Sequence, residues 1–91
     1  MFKSYDNGIE LNTIEEVLNY DWSGFGWGDF RDFHIYCLIE YERAMRKKDV
    51  ANREFFRFAK NFFKEKWDAR QKYFEENKEK LIAEKKKELG L

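Results

Sequence analysis

The sequence predicts a mainly α-helical fold: three helices, of which the last is long and amphipathic, and a small β-hairpin at the N-terminal end. No glycine or proline interrupts the chain between Asp29 and Leu89, and apolar residues recur there at helical spacing. Aromatic residues make up 20% of the chain and charged residues 40%, which indicates a packed aromatic core beneath a charged exterior. With 91 residues, we expect a single small helical domain, residues 1–91.

The first residues of the chain predict the hairpin. Asn7 and Gly8 lie between two short arms with loosely alternating apolar side chains. Both residues tolerate positive φ, so we expect a type I′ turn. A two-stranded hairpin is only marginally stable alone, and this one must therefore lie against a larger element.

A capping box marks the start of the first helix. Thr13 is followed by Glu16, and such a pair satisfies free backbone N–H groups at a helix N-terminus. The apolar side chains that follow share one face at helical spacing, and the helix should end before Ser23. These apolar residues are Ile14, Val17, Leu18 and Trp22.

The second helix should begin at Asp29, acting as the N-cap, with Asp32 in the first turn, where the helix dipole favours an acid. Ile35 and Ile39 lie on the side opposite the main apolar stripe, and a helix that is apolar nearly all round is usually central in its fold. We therefore expect this helix at the centre. Its main stripe consists of Phe30, Phe33, Cys37, Leu38, Tyr41, Ala44 and Met45.

Residues 46–53 interrupt the stripe, because Lys48 and Asn52 take up positions on the apolar face. Asp49 or Asn52 suits a new N-cap, and we predict a break near residues 48–52. The alternative is one continuous helix about 90 Å long at 1.5 Å per residue. Such a helix would need a partner chain to cover its aromatic stripe.

The third helix is predicted to run from about residue 52 to residue 89, with Gly90 as its C-cap residue. After Phe74 few large apolar side chains remain, so residues 75–91 should form a solvated helical extension or the contact of a homodimer. Side chains in a common helical phase should share one core. Those that we expect to be mostly buried are Phe33, Cys37, Tyr41, Phe55, Phe62 and Phe63.

Charge divides the chain, although its formal net charge is zero. Residues 1–42 carry two basic against nine acidic side chains, and residues 43–91 carry sixteen basic against nine acidic ones. Such an asymmetry indicates either two halves that pack together or an acidic or nucleic-acid partner. The single cysteine allows no internal disulfide, and neither a signal peptide nor an apolar run of membrane-spanning length is recognisable. We therefore expect a cytoplasmic protein without a membrane partner.

The stretch SGFGWGDF, residues 23–30, places Phe25 and Trp27 between three alternate glycines. A phosphate-binding loop is disfavoured, because neither a Gly-Lys-Ser/Thr ending nor a preceding strand accompanies it. A calcium loop fits poorly, since Phe25 stands where an oxygen ligand is required and Asp32 is short for the bidentate position. We predict a connector between two helices whose Phe25 and Trp27 bind a partner; packing of these rings into the core is the alternative.

His34 and Cys37 have the spacing of two metal ligands on one helical face, but a zinc site needs three or four ligands, and the sequence has no other His or Cys. Paired acids such as Glu15 and Glu16 diverge around a helix and do not converge across a cleft as catalytic carboxylates do. We therefore expect no metal, no cofactor and no enzyme activity.

Basic residues of the third helix form a stripe within about 60° of helix circumference. A solvated face of an amphipathic helix is the simplest interpretation. A basic ridge also tracks a phosphate backbone when an aromatic ring stacks on a base, or docks on an acidic protein surface. Of these binding roles we favour the acidic protein partner. The basic stripe comprises Arg53, Arg57, Lys60, Lys64 and, at its edge, Trp67.

No motif in the sequence identifies a family. A small, charged, aromatic-rich chain without a catalytic or metal set is typical of accessory proteins from phages and other mobile elements that block a host or defence protein, anti-CRISPR proteins among them. We therefore expect a small intracellular inhibitor that acts by direct protein binding. The alternatives are a nucleic-acid-binding helical module that uses the basic stripe, and a structural helical oligomer.

Overall fold

The computed structural model describes residues 1–90 and confirms a mainly α-helical fold with an N-terminal hairpin and a long helix in the C-terminal half. Helices α2 and α3 pack against each other along much of their length, and the hairpin and α1 lie across this pair. The elements are strands β1 (Phe2–Ser4) and β2 (Ile9–Leu11) and helices α1 (Ile14–Asn19), α2 (Trp27–Lys47), α3 (Val50–Glu76) and α4 (Lys78–Leu89).

The hairpin has the predicted strands but not the predicted turn. β1 and β2 pair antiparallel, with Phe2 opposite Leu11. A single 3₁₀ turn over Tyr5–Asn7 joins them, and Gly8 alone takes the left-handed conformation at φ 65°. Asn7 is not left-handed, and its side-chain amide donates to the Ser4 hydroxyl at 2.8 Å across the 3₁₀ turn. The prediction of a type I′ turn was therefore wrong.

Helix α1 is capped as predicted. The Thr13 hydroxyl accepts a hydrogen bond from the Glu16 N–H at 3.1 Å. The predicted apolar face is only half correct, however, since Val17 and Trp22 are buried while Ile14 and Leu18 are exposed. A helix of six residues is too short to bury a wide face, and Ile14 and Leu18 therefore stay exposed beside the core.

The connector between α1 and α2 is anchored by Trp22, whose indole N–H donates to the Val17 carbonyl at 2.8 Å. Helix α2 then begins at Trp27, with Gly26 as its N-cap. The Asp29 carboxylate accepts from the Gly26 N–H at 2.9 Å. Asp29 thus stands at the third helical position and reaches back to the cap, rather than being the cap itself as the sequence had suggested.

The predicted break near residues 48–52 is confirmed. Lys48 is left-handed at φ 56°, and the Asp49 N–H donates to the Ala44 carbonyl at 2.9 Å, as in a Schellman motif. Asp49 then caps α3 by accepting from the Asn52 N–H at 3.2 Å. The chain reverses here, and the longest dimension of the molecule is 55 Å, well short of a continuous helix.

A second break divides the predicted third helix into two. Asn77 separates α3 from α4, and both its backbone N–H and its side-chain amide donate to the Tyr73 carbonyl. An Asn side chain that bonds nearby backbone competes with the regular helix ladder, which accounts for the interruption. No residue of α4 is buried. The predicted extension also included Leu91, which lies outside the described residues.

The core is aromatic and includes the hairpin. Phe2, at the start of β1, packs edge-to-face on Phe33 with ring centroids 5.3 Å apart, and the sequence had not indicated a core role for it. Ring pairs at such distances add to the burial of apolar area. The buried core residues are Phe2, Ile9, Leu11, Val17, Trp22, Phe30, Phe33, Cys37, Phe55, Phe56, Ala59 and Phe63.

Several predicted core positions lie outside it. Tyr41 and Phe62 are half-buried at its edge, and Leu38 and Met45 are exposed. Helix α2 was expected at the centre of the fold, but Ile35 and Ile39, on the side away from its buried residues, are exposed. Among residues 1–90, no helix combines the length and the apolar character that crossing a bilayer requires.

Candidate functional site

His34 and Cys37 serve the packing of α2 against α3. Cys37 is fully buried, and burial raises the pKa of its thiol far above the ordinary value. His34 donates from Nδ1 to the main-chain carbonyl of Lys60 at 2.8 Å. Within the described part of the chain, no group of three or more His, Cys, Asp or Glu side chains is arranged to hold a metal ion.

The glycine-rich connector places its two predicted partner-binding rings in different surroundings. Phe25 is half-buried and packs on the core, 5.4 Å from the ring of Trp22 and 5.6 Å from that of Phe33. Trp27 is 38% exposed at the first turn of α2. Of the pair, only Trp27 therefore presents a large ring surface to a partner; the binding role of both stays a prediction.

The structure brings Trp27 together with the basic stripe, although the two were predicted from separate segments. The rings of Trp27 and Trp67 meet edge-to-face with centroids 5.9 Å apart. Arg31 lies 5.0 Å above the Trp27 ring and Lys64 4.5 Å above the Trp67 ring, so each indole carries a cation. We call Trp27, Arg31, Lys64 and Trp67 the cation–aromatic patch.

The basic stripe itself is partly neutralised by acids on its own helix. Arg53 and Arg57 both contact the Glu54 carboxylate, at 3.3 and 3.2 Å. Lys64 pairs with Asp68 at 2.8 Å. These exposed pairs contribute little stability, but they weaken the positive field that a phosphate backbone would meet.

A groove between α1 and α3 was not anticipated. Ile14 and Leu18 face Phe58 and Phe62 across a cavity of about 530 Å³, with Glu54, Arg57, Asn61 and Glu65 along its α3 side. Leu18, 55% exposed, is the most accessible apolar side chain of the groove's first part.

A second cavity of about 720 Å³ shares Leu18 and Phe62 with the first and continues past Trp22 to Tyr73. Lys66 and Arg70 lie along this part. The two cavities form one surface, which we call the α1–α3 groove. The sequence contains a signal for this groove in two pairs of apolar residues spaced four apart. These are Ile14 and Leu18 on α1, and Phe58 and Phe62 on α3. Periodicity placed Ile14 and Leu18 on one face of the first helix and predicted Phe62 to be buried, and it assigned no role to Phe58. It carried no information on whether another element would cover these side chains.

In comparisons with known proteins, no family model, no curated protein and no solved structure matches this chain.

Proposed function

We propose that this protein acts by binding another protein, and that an amphipathic helix of the partner occupies the α1–α3 groove. The observation that carries the proposal is the concave apolar surface formed by Ile14, Leu18, Phe58 and Phe62. Exposed contiguous apolar surface with a polar rim is characteristic of interaction sites. Helices bind such grooves through apolar residues spaced three and four apart.

The length and charge of the groove define the partner helix. From Phe58 to Tyr73 the α3 wall is about 22 Å long, which matches about four helical turns. Along the first cavity Glu54 and Glu65 outnumber Arg57, and along the second Lys66 and Arg70 outnumber Asp21. The best ligand is therefore a helix with basic residues toward the Ile14 end and acidic residues toward the Tyr73 end.

The narrower hypothesis is an inhibitor: an accessory protein of a phage or mobile element, anti-CRISPR-like, that blocks a host or defence protein in the cytoplasm. The size and composition of the chain support it, and the groove supplies a surface for direct binding. Under this hypothesis the target helix is part of the blocked protein, and binding rather than catalysis accounts for the activity.

Selection of helical peptides tests the groove. A display library of amphipathic helices of about 15 residues is selected for binding to the wild-type protein. The affinity of the selected peptides is then measured for the wild type, Leu18→Lys and Ile82→Lys. Ile82 is a comparably exposed aliphatic residue on α4, so it is the matched control. We expect affinity to fall roughly tenfold or more for Leu18→Lys and to stay unchanged for Ile82→Lys. Equal binding to all three proteins would refute the groove.

Inhibition is tested separately. The chain is expressed in cells whose CRISPR system restricts a phage, and restored plaque formation is the expected result for an anti-CRISPR. Leu18→Lys should abolish the effect while Ile82→Lys retains it. If every CRISPR type tested still restricts the phage in cells that express the chain, the anti-CRISPR hypothesis is rejected. The peptide-binding result does not depend on that outcome.

The cation–aromatic patch favours a second candidate, an acidic ligand. Trp27 supplies an accessible ring and Lys64 a cation above Trp67, which suits an acidic protein segment or a single-stranded nucleic acid. Lys64→Gln should weaken either complex, and the nucleic-acid complex should show the steeper fall of log affinity with log salt concentration. If Lys64→Gln binds both ligands as tightly as the wild type does, the patch is not a binding site and the groove remains the candidate.

A further inference from the structure

The outer side of α2 carries apolar side chains that no element within residues 1–90 covers. Ile35 is 45% exposed and Ile39 49% exposed, on the side of the helix away from the buried residues Phe33 and Cys37. Leu38 and Met45 are exposed as well. We call this surface the α2 outer face; it consists of Gly28, Arg31, Ile35, Leu38, Ile39, Glu42 and Met45.

Part of this face has the spacing of a helix–helix seam. Successive positions alternate between three and four residues apart, which keeps a seam directed at a packed partner helix. The seam extends for about 26 Å, or nearly the whole of α2. Its residues are Gly28, Arg31, Ile35, Leu38, Glu42 and Met45.

The seam is complementary to its own reversed copy. Ile35 and Leu38 lie equally far from its midpoint, on opposite sides, and so do Arg31 and Glu42. In a two-fold interface each residue i meets residue j while j meets i. An antiparallel copy therefore sets an aliphatic residue against an aliphatic residue and a base against an acid.

We propose that the α2 outer face binds a second copy of this chain, with the two α2 helices antiparallel about a two-fold axis. Ile35 then contacts the partner's Leu38 at the centre, and Arg31 pairs with the partner's Glu42 on either side. At the ends, Gly28 leaves space for the partner's Met45.

The charges select this arrangement over a parallel one. A parallel dimer would place Arg31 against the partner's Arg31 and Glu42 against the partner's Glu42, and like charges across an interface are unfavourable. Within the described residues Glu42 belongs to no ion pair, and Arg31 has one ion pair, with the adjacent Asp32 at 3.2 Å. The antiparallel dimer supplies a partner for Glu42.

This interface is separate from the α1–α3 groove. No residue of the α2 outer face lines either cavity of the groove, so a dimer presents two grooves to its partner proteins. Failure of peptide binding and failure of dimerisation are therefore distinguishable, because each depends on its own residues.

Charge reversal in single and mixed samples tests the proposal. Sedimentation equilibrium of the full chain should show a concentration-dependent dimer for the wild type. Arg31→Glu and Glu42→Arg should each weaken dimerisation roughly tenfold or more, because each creates two like-charge contacts per dimer. An equimolar mixture of the two variants should form a heterodimer, since opposite charges then face each other at both positions.

Lys47→Glu is the control for Arg31→Glu, because it makes the same charge change at an exposed α2 residue outside the seam, and it should dimerise like the wild type. Circular dichroism verifies that each variant is folded, and recovery in the mixture excludes misfolding as the cause of a loss. A wild type that stays monomeric at its highest soluble concentration would overturn the proposal. So would a dimer that persists in both single variants but is lost in Ile82→Lys, which would place the contact on α4 instead.

Discussion

Nδ1 of His34 donates a hydrogen bond to the main-chain carbonyl of Lys60 at 2.8 Å, and this bond joins the middle of α2 to the middle of α3. The two residues lie 26 positions apart in the chain. The bond requires the ring to carry its proton on Nδ1. It also holds the imidazole 5.9 Å from the Trp67 ring, so that His34 supports one side of the cation–aromatic patch.

Removing this bond should cost measurable stability. We expect His34→Leu to lower the free energy of unfolding by about 0.5–1.5 kcal/mol, the net value of one hydrogen bond in a partly buried site. His34→Asn retains a donor close to the position of Nδ1 and should lose less. Urea denaturation of the three proteins measures the difference, and equal stability of the Leu and Asn variants would mean that the hydrogen bond contributes nothing.

Two neighbouring phenylalanines should respond differently to truncation. Phe63 is fully buried and contacts Phe2 at 5.0 Å between centroids, so Phe63→Ala should cost about 3–5 kcal/mol. Phe62 is half-buried and lines the α1–α3 groove, so Phe62→Ala should cost clearly less. Thermal and urea unfolding measure both changes. A larger loss of unfolding free energy for Phe62→Ala than for Phe63→Ala would contradict the assignment of Phe63 to the core.

The thiol of Cys37 should be protected in the native state. It is fully buried, and burial raises its pKa, which disfavours the reactive thiolate. Modification by a thiol-specific disulfide reagent should be slower than in the urea-unfolded chain by a factor on the order of 10³ or more, because it requires opening of the core. Rapid stoichiometric labelling in native buffer would show that Cys37 is accessible.

The cap of α3 should make the α2–α3 turn sensitive to acid. The side-chain amide and the backbone N–H of Asn52 donate to the Asp49 carboxylate and hold its pKa below the ordinary value. Because this pKa is lower in the folded state, the ionised Asp49 carboxylate stabilises the fold at pH values above its unfolded-state pKa, about 3.9. That stability is lost as the pH falls through the folded-state pKa.

Asp49→Asn isolates this contribution, because Asn caps a helix comparably but does not titrate. The difference in melting temperature between wild type and variant should therefore stay constant across the neutral pH range. Below about pH 4 the wild type should lose stability relative to the variant. Parallel curves down to the lowest pH measured would mean that the charge on Asp49 does not stabilise the turn.

Much of the secondary structure follows from chemistry that is local in the chain. Thr13 caps the Glu16 N–H and Asp49 caps the Asn52 N–H, each across three positions. Such signals are complete in a short segment, and this is why the first helix and the break near residues 48–52 are predictable. The second break at Asn77 was missed, because an Asn on a helical surface is compatible with either a continuous or an interrupted helix.

What the sequence by itself determined was the class of the fold, the cap of the first helix, the break near residues 48–52 and the phase of the main apolar stripe. Only the tertiary structure decided which stripes are covered: Phe2 is buried, while Leu18 and Ile35 are exposed. It likewise decided that Trp27 meets Trp67. The physical reason is that periodicity defines a direction around one helix axis. Coverage in that direction depends on elements distant in the chain, whose placement is set by the packing of the whole core.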